Sequence, residues 1–162
     1  MSQEEELGAI ARAIIDANLY MTLATADSDG RPWVSPVFFA PAGYSELYWI
    51  SSPEVTHSRN LAVRPQVSIV VFDSRQPAGE GQAVYMSAVA QELSGTDLDR
   101  GLEVYPGPGR GAWTMTAEQL QPPAPYRLYR ARVSEHWMLC PRESGPCELH
   151  GRAYDHRAPV TP

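Results

Sequence analysis

Between residues 3 and 18, Leu7, Ile10, Ala11, Ile14 and Ile15 recur at intervals of three and four. That stripe predicts an amphipathic helix. Its first turn carries Glu4, Glu5 and Glu6, where the helix dipole favours acidic side chains. At Leu19 the period drops to two. In "LYMTLATA" (19–26), Leu19, Met21 and Leu23 alternate with Tyr20, Thr22 and Ala24, the pattern of a half-buried strand. "DSDG" (27–30) is turn chemistry, with Gly30 suited to a left-handed backbone. "RPWVSPVFF" (31–39) predicts a second strand, and its prolines place it near an edge, a bulge or a ligand.

The alternation continues through "ELYWIS" (46–51), a third strand, before a short helix over 54–63 that Arg64-Pro65 stops. "QVSIVVFD" (66–73) is almost continuously apolar, which predicts a strand buried on both faces. "QAVYMSAVAQEL" (82–93) is a long fifth strand, and "TDLDRGLEVY" a helix capped by Thr96. "PGPGRGAW" (106–113) predicts a mobile connector, with a lid ending at Trp113 as the alternative. "TAEQ" (116–119) is a capping box for one turn, and "YRLYRARVSEHWML" (126–139) a sixth strand. Beyond it a Pro- and Arg-rich tail fades out. The pattern predicts a mainly β, six-stranded antiparallel barrel with peripheral helices. It is read as one domain over 1–162: helix 3–18, barrel core 19–139, tail 140–162.

Charge narrows the function classes. The net charge of -6 argues against a general binder of nucleic acid or acidic membrane. No apolar run approaches the roughly 18 residues of a membrane span, and the acidic start "MSQEEELGAI" lacks a signal peptide's form. A cytoplasmic location is expected. All 13 basic residues are arginine, so no lysine Schiff base can form and anions must be held by Arg, His, hydroxyls or amides. Cys140 and Cys147 are the two cysteines. Cys147, His150 and His156 invite a zinc reading, but without a C-x2-C pair the expectation is loop cysteines and no metal.

The densest donor chemistry lies in "ISSPEVTHSRNL" (50–61). Ser51, Ser52, Thr56 and His57 surround a helix start just after a strand, and Arg59 follows within a turn. Free amides and the dipole make such a start an anion site. On spacing alone a plainer alternative stays open: Ser52 or Thr56 caps the helix, His57 is solvated, and Arg59 pairs with Glu54.

Four segments recur in order: Leu-Ala-Thr, Asp-Gly-Arg-Pro, Ser-x5-His-x-Arg-Asn-Leu and Arg-Pro-x-Val-Ser. Together they make residues from about 7 to 139 resemble the pyridoxamine 5'-phosphate oxidase-like, flavin-binding split barrels. The resemblance implies a homodimer with flavin mononucleotide (FMN) at its interface. It implies the isoalloxazine along Ser35, Pro36, Val37 and Phe38, and the phosphate at Ile50, Ser51, Thr56 and His57. A lysine often stands where His57 is, so Arg59 is expected to compensate, and Gln82 falls near a position that reaches the ring. No catalytic residue is identified, because the chemistry belongs to the cofactor.

"HGRAYDHR" (150–157) is only faintly similar to the arginine-rich tail that grips substrate phosphate in true pyridoxamine phosphate oxidases, and the rest of that pattern is missing. Pyridoxamine phosphate is therefore a poor candidate substrate. The first expectation is an FMN-dependent oxidoreductase acting on a small molecule. The alternatives are a deazaflavin-dependent reductase of the same fold, or a non-enzymatic flavin- or haem-binding barrel. Trp33, Trp49 and Trp137 are expected in the core or at a dimer contact.

Overall fold

A computed structural model describes residues 2–111, 113–141 and 145–162. Helix α1 (Gln3–Ala17) opens with a capping box between Ser2 and Glu5 and buries Leu7, Ala11 and Ile15. The strands are β1 (Tyr20–Ala26), β2 (Pro32–Phe38), β3 (Ala40–Ala42), β4 (Glu46–Ser51), β5 (Gln66–Phe72), β6 (Ala83–Glu92), β7 (Arg127–Leu139) and β8 (Arg157–Val160). Between them lie α2 (Thr56–Val63), α3 (Gly95–Val104) and a 3-10 turn at Ala117–Leu120, which carries the expected Thr116–Gln119 capping box.

Every pairing is antiparallel, in the order β2-β1-β5-β6-β7-β4-β3, with β8 added on β7. The first and last strands of that order, β2 and β3, are separated by Phe39 alone. The sheet must therefore curl until its two edges meet, which makes it a split barrel rather than an open sheet. Its interior is filled by alternate residues: Met21 and Leu23, Val37, Leu47 and Trp49, Ile69 and Val71, Val84 and Met86, Ala131 and Met138. Phe39, at the seam, is fully buried.

All six expected strands are present, and two short ones join them. β3 is a continuation of β2 past Phe39. β8 corrects the expectation that the tail fades out: the chain returns to pair with the end of β7, Arg157 standing opposite Leu139 and Val160 opposite His136. The part of the tail at 142–144 lies outside the described residues, as does residue 112 of the 106–113 loop.

Other boundaries moved for local reasons. β5 is buried on one face, with Val67, Ile69 and Val71 inward and Gln66, Ser68 and Phe72 exposed, not on both as its apolar run suggested. Leu19 precedes β1 and is exposed. α2 begins at Thr56, after a turn at Ser52–Val55, rather than at 54. α3 starts from Ser94, so Thr96 sits inside its first turn instead of capping it.

Candidate functional site

His57 enters the structure as a buried bridge. Its Nδ1 lies 3.1 Å from Ser35 Oγ on β2, and its Nε2 lies 2.8 Å from Ser51 Oγ at the end of β4. Trp33 Nε1–H donates to the same Ser35 oxygen at 3.0 Å. One neutral tautomer that satisfies both ring nitrogens has Ser35 donating to Nδ1 and His57 Nε2–H donating to Ser51. Burial pushes His57 below the ordinary imidazole range, in keeping with this neutral form. The Ser51 proton is then left to be donated onward.

The rest of the expected donor knot is divided. Thr56 is exposed at the helix start. Arg59 points outward and pairs with Glu54 at 2.7 Å, both side chains largely in solvent. Ser52 Oγ accepts from Glu54 N–H at 3.2 Å, closing a turn and capping nothing. Val55 occupies the cap position and no side chain caps α2, so its first-turn amides are not taken by a serine or threonine. The helix is strapped to the barrel instead by Asn60 Nδ2–H donating to Thr25 Oγ1 at 3.0 Å and by Arg64, which donates to the carbonyls of Asp27 and Ser28. Of the plainer alternative, the Arg59–Glu54 pair is present; the side-chain cap and the solvated histidine are not.

Phe38 and Ile50 face a different space. With Leu19, Tyr20, Tyr105, Arg110, Trp113, Met115 and Tyr126 they line a cavity of about 480 Å³, within the range of small-molecule sites. Its walls are aromatic and aliphatic apart from Arg110. That guanidinium donates to Phe39 C=O at 2.8 Å and Asn18 C=O at 2.7 Å, and lies over the rings of Phe38 and Phe39. Trp113 is 87% exposed at the cavity mouth. Arg110, Gly111 and Trp113 of the 106–113 loop thus line the cavity. Tyr105, Arg110, Met115 and Tyr126 were not singled out as site residues from sequence; the aromatics flanking the glycine-rich loop and the arginine inside it were the available signal.

The remaining expected residues scatter. Val37 is in the core. Pro36 lies on the outer sheet face beside Thr22, Val70 and Phe72. Gln82 donates to Leu139 C=O at 3.1 Å and lines a separate cleft of about 960 Å³ shared with Asp73, Glu80 and Glu148, where an anionic ligand would meet like charge. Cys140 and Cys147 are not isolated loop residues: their sulfurs converge with His150 and His156.

The family model described as Pyridoxamine 5'-phosphate oxidase matches residues 8–140. No curated protein matches the chain. Among solved structures, a haem-binding protein from Mycobacterium smegmatis is similar at 20% identity with a TM-score of 0.63, covering 92% of this chain and 56% of its own. The chain thus spans little more than half the length of that protein. HutZ, the haem storage protein from Vibrio cholerae, is similar at 24% identity and a TM-score of 0.58, with 83% of this chain and 92% of HutZ covered. A FAD-binding protein from Mesorhizobium loti is similar at 22% identity and a TM-score of 0.59, with 85% of this chain and 94% of that one covered. At these identities the three likenesses speak for the fold alone. The family match runs from α1 to the residue after β7, the span over which the curled sheet closes on itself, and the chain belongs to the pyridoxamine 5'-phosphate oxidase-like family of split barrels.

Proposed function

We propose that this split barrel binds a flat, conjugated redox cofactor carrying an anionic substituent, and that the aromatic cavity between Phe38, Ile50, Tyr105 and Trp113 is where the ring lies. The observation that carries this reading is the cavity's composition: broad apolar faces for a planar ring, with Arg110 as the cation for its charged group. A flavin and haem share that chemistry. For a flavin phosphate, the uncapped start of α2 and the Ser51 hydroxyl supply neutral donors. His57 and Arg59 contribute less than their spacing promised, since one is buried neutral and the other is engaged with Glu54. Haem would fit the same aromatic walls, and haem-binding and FAD-binding proteins both stand among the similar structures; the side chains of the described lining able to ligate iron are Met115, Tyr20, Tyr105 and Tyr126.

Oxidoreductase activity on a small molecule follows if the cofactor is FMN or a deazaflavin, and storage or carriage if it is haem. The exposed outer face of the sheet, with Tyr20, Val34, Phe72 and Val89, fits a homodimer that covers it. Separate titrations of the full chain decide the class. A saturating Soret shift selects haem, saturating quenching of FMN fluorescence selects flavin, and saturation by a deazaflavin alone selects the third. Saturation by none of them refutes the reading.

A further inference from the structure

Cys140, Cys147, His150 and His156 gather where the tail folds back on the end of β7, and none of them lines the aromatic cavity. Cys140 follows β7 directly, and its N–H donates to His156 C=O at 2.9 Å, so the return into β8 sets His156 beside it. Cys147 and His150 share one tight turn, in which Gly151 N–H donates to Cys147 C=O and Cys147 N–H to Arg152 C=O, both at 2.9 Å. Gly151 takes φ +63 there, a conformation glycine adopts without strain.

The ligand atoms of the four side chains all lie within 4.8 Å of one another. His150 Nδ1 is 3.5 Å from Cys140 Sγ, 3.9 Å from Cys147 Sγ and 3.2 Å from His156 Nε2, and Cys147 Sγ is 3.7 Å from His156 Nε2. Tetrahedral zinc with its usual bond lengths places nitrogens about 3.3 Å apart and sulfur about 3.6 Å from nitrogen. These four edges lie within about 0.3 Å of those figures, and the remaining two are within 4.8 Å, close enough for small side-chain shifts to complete the tetrahedron.

Hydrogen bonding alone does not account for the cluster. His150 Nδ1 faces both sulfurs and a second imidazole nitrogen, yet a ring nitrogen offers one proton or one lone pair. His156 Nδ1 lies 3.1 Å from Tyr154 C=O, which calls for a proton on Nδ1 and leaves the Nε2 lone pair aimed into the cluster. A backbone carbonyl fixing the tautomer of a metal-binding histidine is the usual supporting contact.

We propose that these residues form a closed Cys2His2 site for one zinc ion that ties the C-terminal segment to the barrel. Two soft thiolates and two imidazoles at tetrahedral spacing select zinc over hard cations. With all four positions filled by protein, the role is structural and not catalytic. Binding releases the two thiol protons, so the charge of the ion is balanced within the site. The site is independent of the cofactor reading, sharing no residue with that cavity.

The full chain, reduced and stripped with chelator, is titrated with Co²⁺ and then Zn²⁺. The expected result is one equivalent of cobalt giving the intense visible bands and thiolate charge transfer of a tetrahedral site, displaced by zinc. Cys147→Ser and His156→Ala lose stoichiometric binding, while Arg152→Ala retains it. Cys147→Asp, which keeps a zinc-competent ligand, still binds one ion with an altered charge-transfer band, so loss in Cys147→Ser reports the ligand and not unfolding. Reduced wild-type protein that binds no cobalt tetrahedrally, or a Cys147→Ser protein that binds it unchanged, overturns the proposal.

Discussion

At the scale of single residues, the site is governed by which donors the protein spends on itself. His57 uses both ring nitrogens to join β2 to β4 through Ser35 and Ser51. Its folded-state pKa is lowered by burial. The unfolded chain takes up that proton as pH falls through about 6.5, while the folded chain resists. The resulting stability is complete above that pH and declines toward the depressed folded value. His136, also lowered by burial against the opposing hydrogen bond to Tyr44 C=O, acts with the same sign. Urea denaturation should therefore show a falling midpoint between about pH 7 and pH 5, and His57→Gln should flatten part of that slope. An unchanged slope would mean that His57 is not buried neutral. Arg59, paired with Glu54 in solvent, behaves differently: Arg59→Ala should cost less than about 1 kcal/mol in the same assay.

At the scale of elements, α3 shows how tightly the outer pieces are fitted. A Cβ on Gly101 would stand 2.6 Å from Leu128 Cδ2 and 3.0 Å from Leu93 Cδ1, so the helix backbone lies directly on the sheet. Gly101→Ala should destabilise the protein by about 1–3 kcal/mol through overpacking, read as a lowered denaturant midpoint with an unchanged slope. Elements with an internal pattern were legible in the sequence: the stripe of α1 and the alternation of β1 carry their own period. β8 was not, because four residues containing Pro159 acquire strand geometry only from the long partner β7. The one-sided burial of β5 was hidden for a related reason, since its outer Val70 and Phe72 are apolar and obscure the alternation. The donor knot was visible as residue types, yet spacing could not show that Arg59 would turn to Glu54 or that Ser35 would arrive from β2. Cys147, His150 and His156 were legible as candidate ligands, but spacing without a C-x2-C pair could not show that Cys147-x-x-His150 forms a close pair or that the β7–β8 return brings Cys140 and His156 to it.

At the scale of the molecule, the curled sheet offers two kinds of surface: a packed interior and an outer face on which Tyr20, Val34, Phe72 and Val89 stand exposed. Val34→Arg, placed on that face, should convert a dimer to monomer in light scattering without altering the circular dichroism; a wild-type protein already monomeric at high concentration would remove the dimer from the account. No helix among the described residues is long and apolar enough to cross a membrane. The aromatic cavity, bounded by β1, β2, β4 and the 106–113 loop, is the feature on which the functional reading stands, and Arg110 is its cation. Equilibrium titration of wild-type and Arg110→Gln protein with haem and with FMN tests it most directly. The account predicts saturable binding of at least one cofactor by the wild type, weakened roughly 10- to 150-fold in Arg110→Gln, as expected for loss of a charge-assisted hydrogen bond of about 1.5–3 kcal/mol. Equal affinity in the two proteins, or no saturable binding in either, would contradict it.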